Sequence, residues 1–268
     1  MKFSVSNIAL PSYSHFDELV QLGTMGLQGI EVAPSRVWKK TWKGLSAKMV
    51  TQYRADVERA GLRIIGLHSL FYDQPNLGLF CSEEYMPETL DFMVHLSSVC
   101  RDLGGKQLIY GGGRNRGNIS KYEAFQRTID FCATLCNRIQ THGTSYCFEP
   151  LSPRKSDFIN TVEESVTIVE TLNNRAFQVQ IDAEALAENN EISEKTFLIA
   201  QPYLIHVHAN EPNFGILGSS GLIDHKAIGG YLRGINYNGF VSIEQKMFNQ
   251  TDPVSGIATS ISFLKENY

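Results

Sequence analysis

The sequence predicts an α/β fold: a single (β/α)8 barrel, residues 1–268 as one domain, with its working residues at the carboxyl ends of the strands. Three observations carry that expectation. Short β-like runs alternate with amphipathic helical segments along the whole chain, and eight such units can be counted. A length of 268 residues suits an α/β barrel that remains one domain. No linker, low-complexity tract or charge run divides it.

The units follow in order. Lys2–Ser6 reads as the first strand, after which Ser14 is expected to cap a helix carrying Phe16, Leu19, Val20 and Leu22, ended by Gly23 and Gly26. Leu27–Ala33 is the second strand, stopped by Pro34. Ser46 opens a helix through Met49, Tyr53, Val57 and Ala60, closed by Gly61, and Leu62–His68 is the third strand. A polar loop over residues 69–85 leads to a helix with Leu90, Met93, Val94, Leu96, Val99 and Leu103, then to a fourth strand, Lys106–Tyr110. Gly111-Gly112-Gly113 after it would let backbone approach a ligand, but reads first as a flexible turn. In the helix over Ser120–His142, Cys132 and Cys136 fall on the apolar stripe and read as core.

Ser145–Pro150 is the fifth strand, its ladder stopped by proline. Thr161-Val162-Glu163-Glu164 has the pattern of a capping box, and Phe177–Asp182 is the sixth strand. Residues 183–200 read as variably helical. The seventh strand begins at Tyr203 and delivers His206 and His208 to one face before breaking into polar loop at Asn210-Glu211-Pro212. A glycine-rich loop reaches Ile223-Asp224-His225, a helix passes through Ala227, Ile228, Tyr231, Leu232 and Ile235, and Gly239–Glu244 is the eighth strand. A last helix over Pro253–Leu264 closes the ring.

Composition narrows the function. A net charge of -4 gives no electrostatic reason to expect nucleic acid or an anionic membrane as partner, so the substrate is expected to be a small molecule. The 5 cysteines are scattered and odd in number, which fits a reducing, cytoplasmic setting better than a disulfide framework. The amino-terminal residues lack the apolar core of a signal peptide, and no run is long enough to span a membrane.

Successive strands end in Glu149, Asp182, His208 and Glu244, each about one strand-helix unit after the last. In a barrel these positions converge on one mouth, where three carboxylates would repel unless protonated or bound to a cation. A divalent metal resolves the conflict. Carboxylates with one imidazole form a mostly hard donor set that favours Mn2+, with Mg2+, Co2+ and Zn2+ as alternatives.

The endings Cys147-Phe148-Glu149-Pro150-Leu151, Gln180-Ile181-Asp182, Ile205-His206-Val207-His208 and Val241-Ser242-Ile243-Glu244, with Gly29-Ile30-Glu31-Val32 and the loop leading to Ile223-Asp224, resemble the xylose-isomerase-like TIM-barrel family of sugar isomerases and epimerases. The resemblance covers nearly the whole chain. It implies one divalent metal held by Glu149, Asp182, His208 and Glu244, and a carbohydrate or carbohydrate-derived substrate. The two glutamates would double as acid and base on the carbon beside a carbonyl, through a metal-stabilised enediolate. Epimerisation and isomerisation remain equally open.

Three positions depart from the ketose 3-epimerase branch. Ala185, Phe214 and Lys155 stand where those enzymes carry a substrate-contacting histidine, arginine and glutamate. A free ketohexose is therefore doubtful as substrate, and Arg154 or Lys155 would be able to meet a phosphate or carboxylate. His68 and Glu211 are further candidates for sugar hydroxyls. Glu31 and Lys246 could pair with each other or with substrate, His206 reads as a hydrogen-bonded core histidine, and Trp38 and Trp42 could wall the pocket or meet a second subunit.

Competing readings share the fold. A dehydratase of a polyol ketone or dehydroshikimate-type compound would begin with the same proton abstraction, and a barrel that binds sugar without turnover would keep the pocket alone. The multi-zinc endonuclease branch, which needs a richer histidine set and a basic DNA face, is disfavoured by only 7 histidines and a net charge of -4. Pairing of barrels into a homo-oligomer is open.

Overall fold

The computed structural model describes residues 1–268 as a closed parallel barrel whose strands pair in chain order from β1 through β8 and back to β1. The strands are β1 (Lys2–Ser6), β2 (Gly29–Val32), β3 (Arg63–Leu67), β4 (Gln107–Tyr110), β5 (Ser145–Phe148), β6 (Phe177–Asp182), β7 (Leu204–Asn210) and β8 (Phe240–Glu244). Around them lie α1 (Phe16–Thr24), α2 (Ala47–Arg59), α3 (Met86–Asp102), α4 (Lys121–Ile139), α5 (Val162–Leu172), α6 (Ala183–Glu188), α7 (Glu194–Ala200), α8 (His225–Gly234) and α9 (Ser255–Asn267).

The main core lies between the barrel wall and the helices. Leu22, Val57, Leu96, Leu135, Phe197, Leu232 and Leu264 project from the helices and are fully buried, as are Val5, Ile30, Tyr146, Ile181, Val207 and Ile243 from the strands. Because side chains alternate along a strand, the apolar residues facing out leave their neighbours facing in. Many of those neighbours are polar, though Ile109 and Cys147 are not. Ser4, Ser6, Glu31, Gln180, His206, His208 and Ser242 are all buried, in place of the branched apolar side chains that usually fill such barrels. Register shifts at Ile30/Glu31 and Val179/Gln180 lie at two of these strands, where bulges re-aim side chains.

Several helix ends follow the sequence. Ser46 accepts from the Met49 N–H, Ser120 from Glu123, and Thr161 with Glu164 forms the expected capping box. Ser14 does not cap α1, since the residue before the helix is His15 and it makes no side-chain cap bond. The 183–200 segment is two helices, and Asp182 itself caps the first by accepting from the Ala185 N–H. Trp38 is 5% exposed and packs edge-on to Tyr53, while Trp42 packs on Phe92. Both therefore belong to the packing of the α2 and α3 side, not to a pocket wall.

Candidate active site

Glu149 leaves the end of β5, Asp182 ends β6, His208 lies in β7 and Glu244 ends β8, so four neighbouring strands deliver one polar side chain each to the same mouth. One possible ligand atom from each lies within 4.8 Å of all the others. His208 Nδ1 stands 3.0 Å from Glu149 Oε1, 3.5 Å from Glu244 Oε2 and 3.8 Å from Asp182 Oδ2. On its other side His208 Nε2 donates to Glu31 Oε2 at 2.9 Å. Carboxylates only accept, so with both nitrogens so engaged the ring is an imidazolium whose Nδ1 proton points at three carboxyl groups.

The electrostatics say what this arrangement lacks. Burial, and then the charges of Glu149 and Glu244, push the Asp182 carboxyl up to about 7. Burial works against charge on His208 but is outweighed by Glu31, Glu244 and the hydrogen bonds from the carboxylates, which hold the imidazole well above its ordinary range. In Glu244, burial is again outweighed, by the charges of His208 and His68 and a hydrogen bond from His68, and the carboxyl lies below its usual value. A cation at the place where the Nδ1 proton points would serve all three carboxylates and take the ring nitrogen as neutral donor. The donor set fits a divalent metal.

Supporting groups surround the four. Gln180 donates to Glu149 Oε1 at 2.9 Å, and Asn210 donates to Asp182 Oδ2 at 2.6 Å and to Glu244 Oε2 at 3.2 Å. His68 Nδ1 lies 3.3 Å from Glu244 Oε1, with its Nε2 on Ser6 Oγ at 2.6 Å. Gly111 lies so close to Glu149 Oε2 that a side-chain Cβ there would collide with the carboxylate. Gly111 is thus shaped around the Glu149 carboxylate, while Gly112 stands in open space and Gly113 packs on Phe71. Arg114, buried beneath, donates to the carbonyls of Tyr110, Gly111, Glu149, Phe158 and Ile159.

A cavity of about 330 Å³ opens above the four residues, lined among others by His68, Glu149, Lys155, Asp182, Asn210, Phe214 and Glu244. A family model described as the xylose isomerase-like TIM barrel matches residues 19–267. The chain belongs to this family. Among solved structures, D-psicose 3-epimerase from Clostridium cellulolyticum H10, crystallised with D-tagatose, is similar with a TM-score of 0.84 at 17% identity, over 100% of this chain and 99% of that one. The 3-keto-D-glucoside 4-epimerase from E. coli gives 0.80 at 19% identity, over 99% of each. The IolI protein crystallised with a zinc atom gives 0.77 at 16%, over 100% and 99%. At such identities the likeness is one of fold, and no curated protein matches by sequence.

Within this family's barrel, the peripheral candidates fare unevenly. His68, Lys155 and Phe214 line the cavity. Glu211 does not: its carboxylate is buried and accepts from the Gly218 N–H, Ser220 and His225, because it organises the following loop. Lys155 donates to Glu184 and Arg154 pairs with Glu188, so neither is a free cation awaiting an anion. Glu31 is fully buried and meets His206 at 3.2 Å as well as His208, which separates it from exposed Lys246.

Sequence reasoning missed Asn210, Gln180, Gly111 and Arg114 as parts of the site. Asn210 and Gln180 were within reach, since each sits two residues from a ligand candidate on the same strand face. Arg114 carries no local signal, because its partners are backbone carbonyls from three separate segments.

Proposed function

We propose that the chain is a divalent-metal-dependent isomerase or epimerase of a carbohydrate, with Glu149 and Glu244 as its acid–base pair. The observation that carries the reading is their placement: β5 and β8 stand three strands apart round the ring, and both carboxylates border the same cavity. A carbon held between them meets a carboxylate on each side. One removes its proton and the other returns one, to the same carbon in epimerisation or to the neighbouring carbon in isomerisation.

Glu149, Asp182, His208 and Glu244 would hold the metal, which supplies positive charge where negative charge develops on the hydroxy-carbonyl oxygens. Gln180 and Asn210 orient the carboxylates, and His68 fixes Glu244 from the other side. We favour Mn2+ on the hardness of three carboxylates with one imidazole; zinc, present in the IolI protein structure, is the second choice. The free thiols of all 5 cysteines suit a reducing, cytoplasmic setting.

The test is exchange of a substrate α-proton with deuterated water. Glu149→Gln and Glu244→Gln are each expected to lower exchange by at least about 100-fold at a Mn2+ concentration high enough to saturate the weakened site. Undiminished exchange in either variant overturns the mechanism, and a product that has lost water would assign the dehydratase instead.

A further inference from the structure

The cavity has an ionic and an apolar lining. Its ionic half comes from β5 to β8, where Glu149, Asp182, Asn210 and Glu244 are bonded to one another or to His208. Across the barrel, the ends of β3 and β4 supply Leu70, Phe71, Ile109 and Tyr110, and the loops after β5 and β7 add Leu151 and Phe214 to the apolar lining. The Tyr110 hydroxyl faces away from that role, donating to the Gly113 carbonyl.

Few polar side chains interrupt the wall. Ser69 Oγ lies 3.4 Å from His68 Nδ1. Lys155 gives one of its three donors to Glu184 and sits 5.7 Å from the centre of the Phe214 ring, so what it can still offer lies at the rim. Phe214 is itself a built feature. It and Asn213 hold consecutive left-handed backbone angles, φ 56° and 58°, a conformation that an aromatic residue rarely adopts. The strand-end N–H of Lys246 bonds to its carbonyl and fixes it there, with the ring 38% exposed at the cavity rim.

We propose that the substrate of this site, on the acid–base reading above, joins a hydroxy-carbonyl end to an apolar far end: a deoxy or O-substituted sugar in preference to an open-chain ketose with a hydroxyl on every carbon. The ionic half takes the hydroxy-carbonyl end. Against Phe71, Leu151 and Phe214 a hydroxyl loses water without gaining a partner, which weakens binding about 5- to 150-fold per group, whereas a methyl group or ring face gains from the same contact. Phe214, at the rim where the far end leaves the cavity, is the specificity-determining residue.

The Mn2+-loaded protein is tested on matched pairs by α-proton exchange: 2-ketohexoses against their 6-deoxy counterparts, and a 3-ketohexose against its methyl glycoside. The deoxy or substituted member is expected to have a kcat/KM at least about 5-fold higher, chiefly through KM, and Phe214→Arg is expected to narrow or reverse that ratio. Equal or better exchange with the fully hydroxylated members, or a ratio that Phe214→Arg leaves untouched, overturns this inference and leaves Glu149 and Glu244 as the acid–base pair. No exchange with any compound overturns both.

Discussion

Glu31, fully buried at the end of β2, accepts the Nε2 proton of His208 at 2.9 Å from across the barrel. That bond fixes the ring so that Nδ1 is the nitrogen turned to the three carboxylates, the outer-shell support by which a metal-binding histidine is oriented and made more basic. Glu31→Gln keeps the shape and removes the charge. It is expected to weaken Mn2+ binding by about 10- to 100-fold, read by calorimetric titration, with the circular-dichroism spectrum unchanged. Wild-type affinity in the variant would show that His208 is held in place without Glu31.

Metal binding should depend steeply on pH. Without a cation, Asp182 titrates near 7 and the His208 imidazolium well above its ordinary value, so both carry protons at pH 6 and a metal must displace them. Each displaced proton makes affinity rise about tenfold per pH unit. From pH 6 to 7 the rise is therefore expected to approach two such steps, and above 7, once Asp182 has ionised, one. Titrations in buffers of different ionisation enthalpy check the number of protons released. Affinity that is flat over this range would mean that the four groups do not act together as ligands.

How far the sequence reaches is visible in β7. The alternation of His206 and His208 with apolar residues was legible, and so was the convergence of four strand ends, because strand periodicity and chain order are local properties that a barrel converts into proximity. The fates of Glu211 and Glu31 were not legible. Glu211 is drawn into its own loop by His225 and the Gly218 N–H, and Glu31 is drawn inward by two histidines from the opposite side of the ring. Both outcomes hang on partners set by tertiary packing, to which a residue's position at a strand end is blind.

Arg114 is a buried cation that satisfies itself on carbonyls alone. Burial lowers its guanidinium to about 10, but the charge of Glu149 opposes that shift, and it stays protonated at neutral pH. Its Nη2 reaches the carbonyl of Ile159, a β-branched residue at φ 59°, which the Leu151 N–H also holds, so the guanidinium pins a strained loop beside the cavity. Arg114→Met is expected to cost about 3 kcal/mol or more in urea unfolding by orphaning these carbonyls. A loss below about 1 kcal/mol would show that the carbonyls find other partners.

Gly111→Ala is the smallest change expected to disable the site. The added Cβ would collide with Glu149 Oε2, so the carboxylate must turn away and give up the hydrogen bond that Gln180 makes to its other oxygen. Gly111 lies at the cavity, outside the apolar core, and it is not among the residues with a positive φ, so alanine brings no backbone strain of its own. The folded chain is therefore expected to survive with little change in melting temperature while the carboxylate swings out of register. Displacement of a group by about 1 Å can lower a rate on the order of 100-fold, and α-proton exchange should fall by that much with Mn2+ affinity reduced in parallel. Retained exchange at the wild-type rate would mean that Glu149 works from a position other than the one it occupies here.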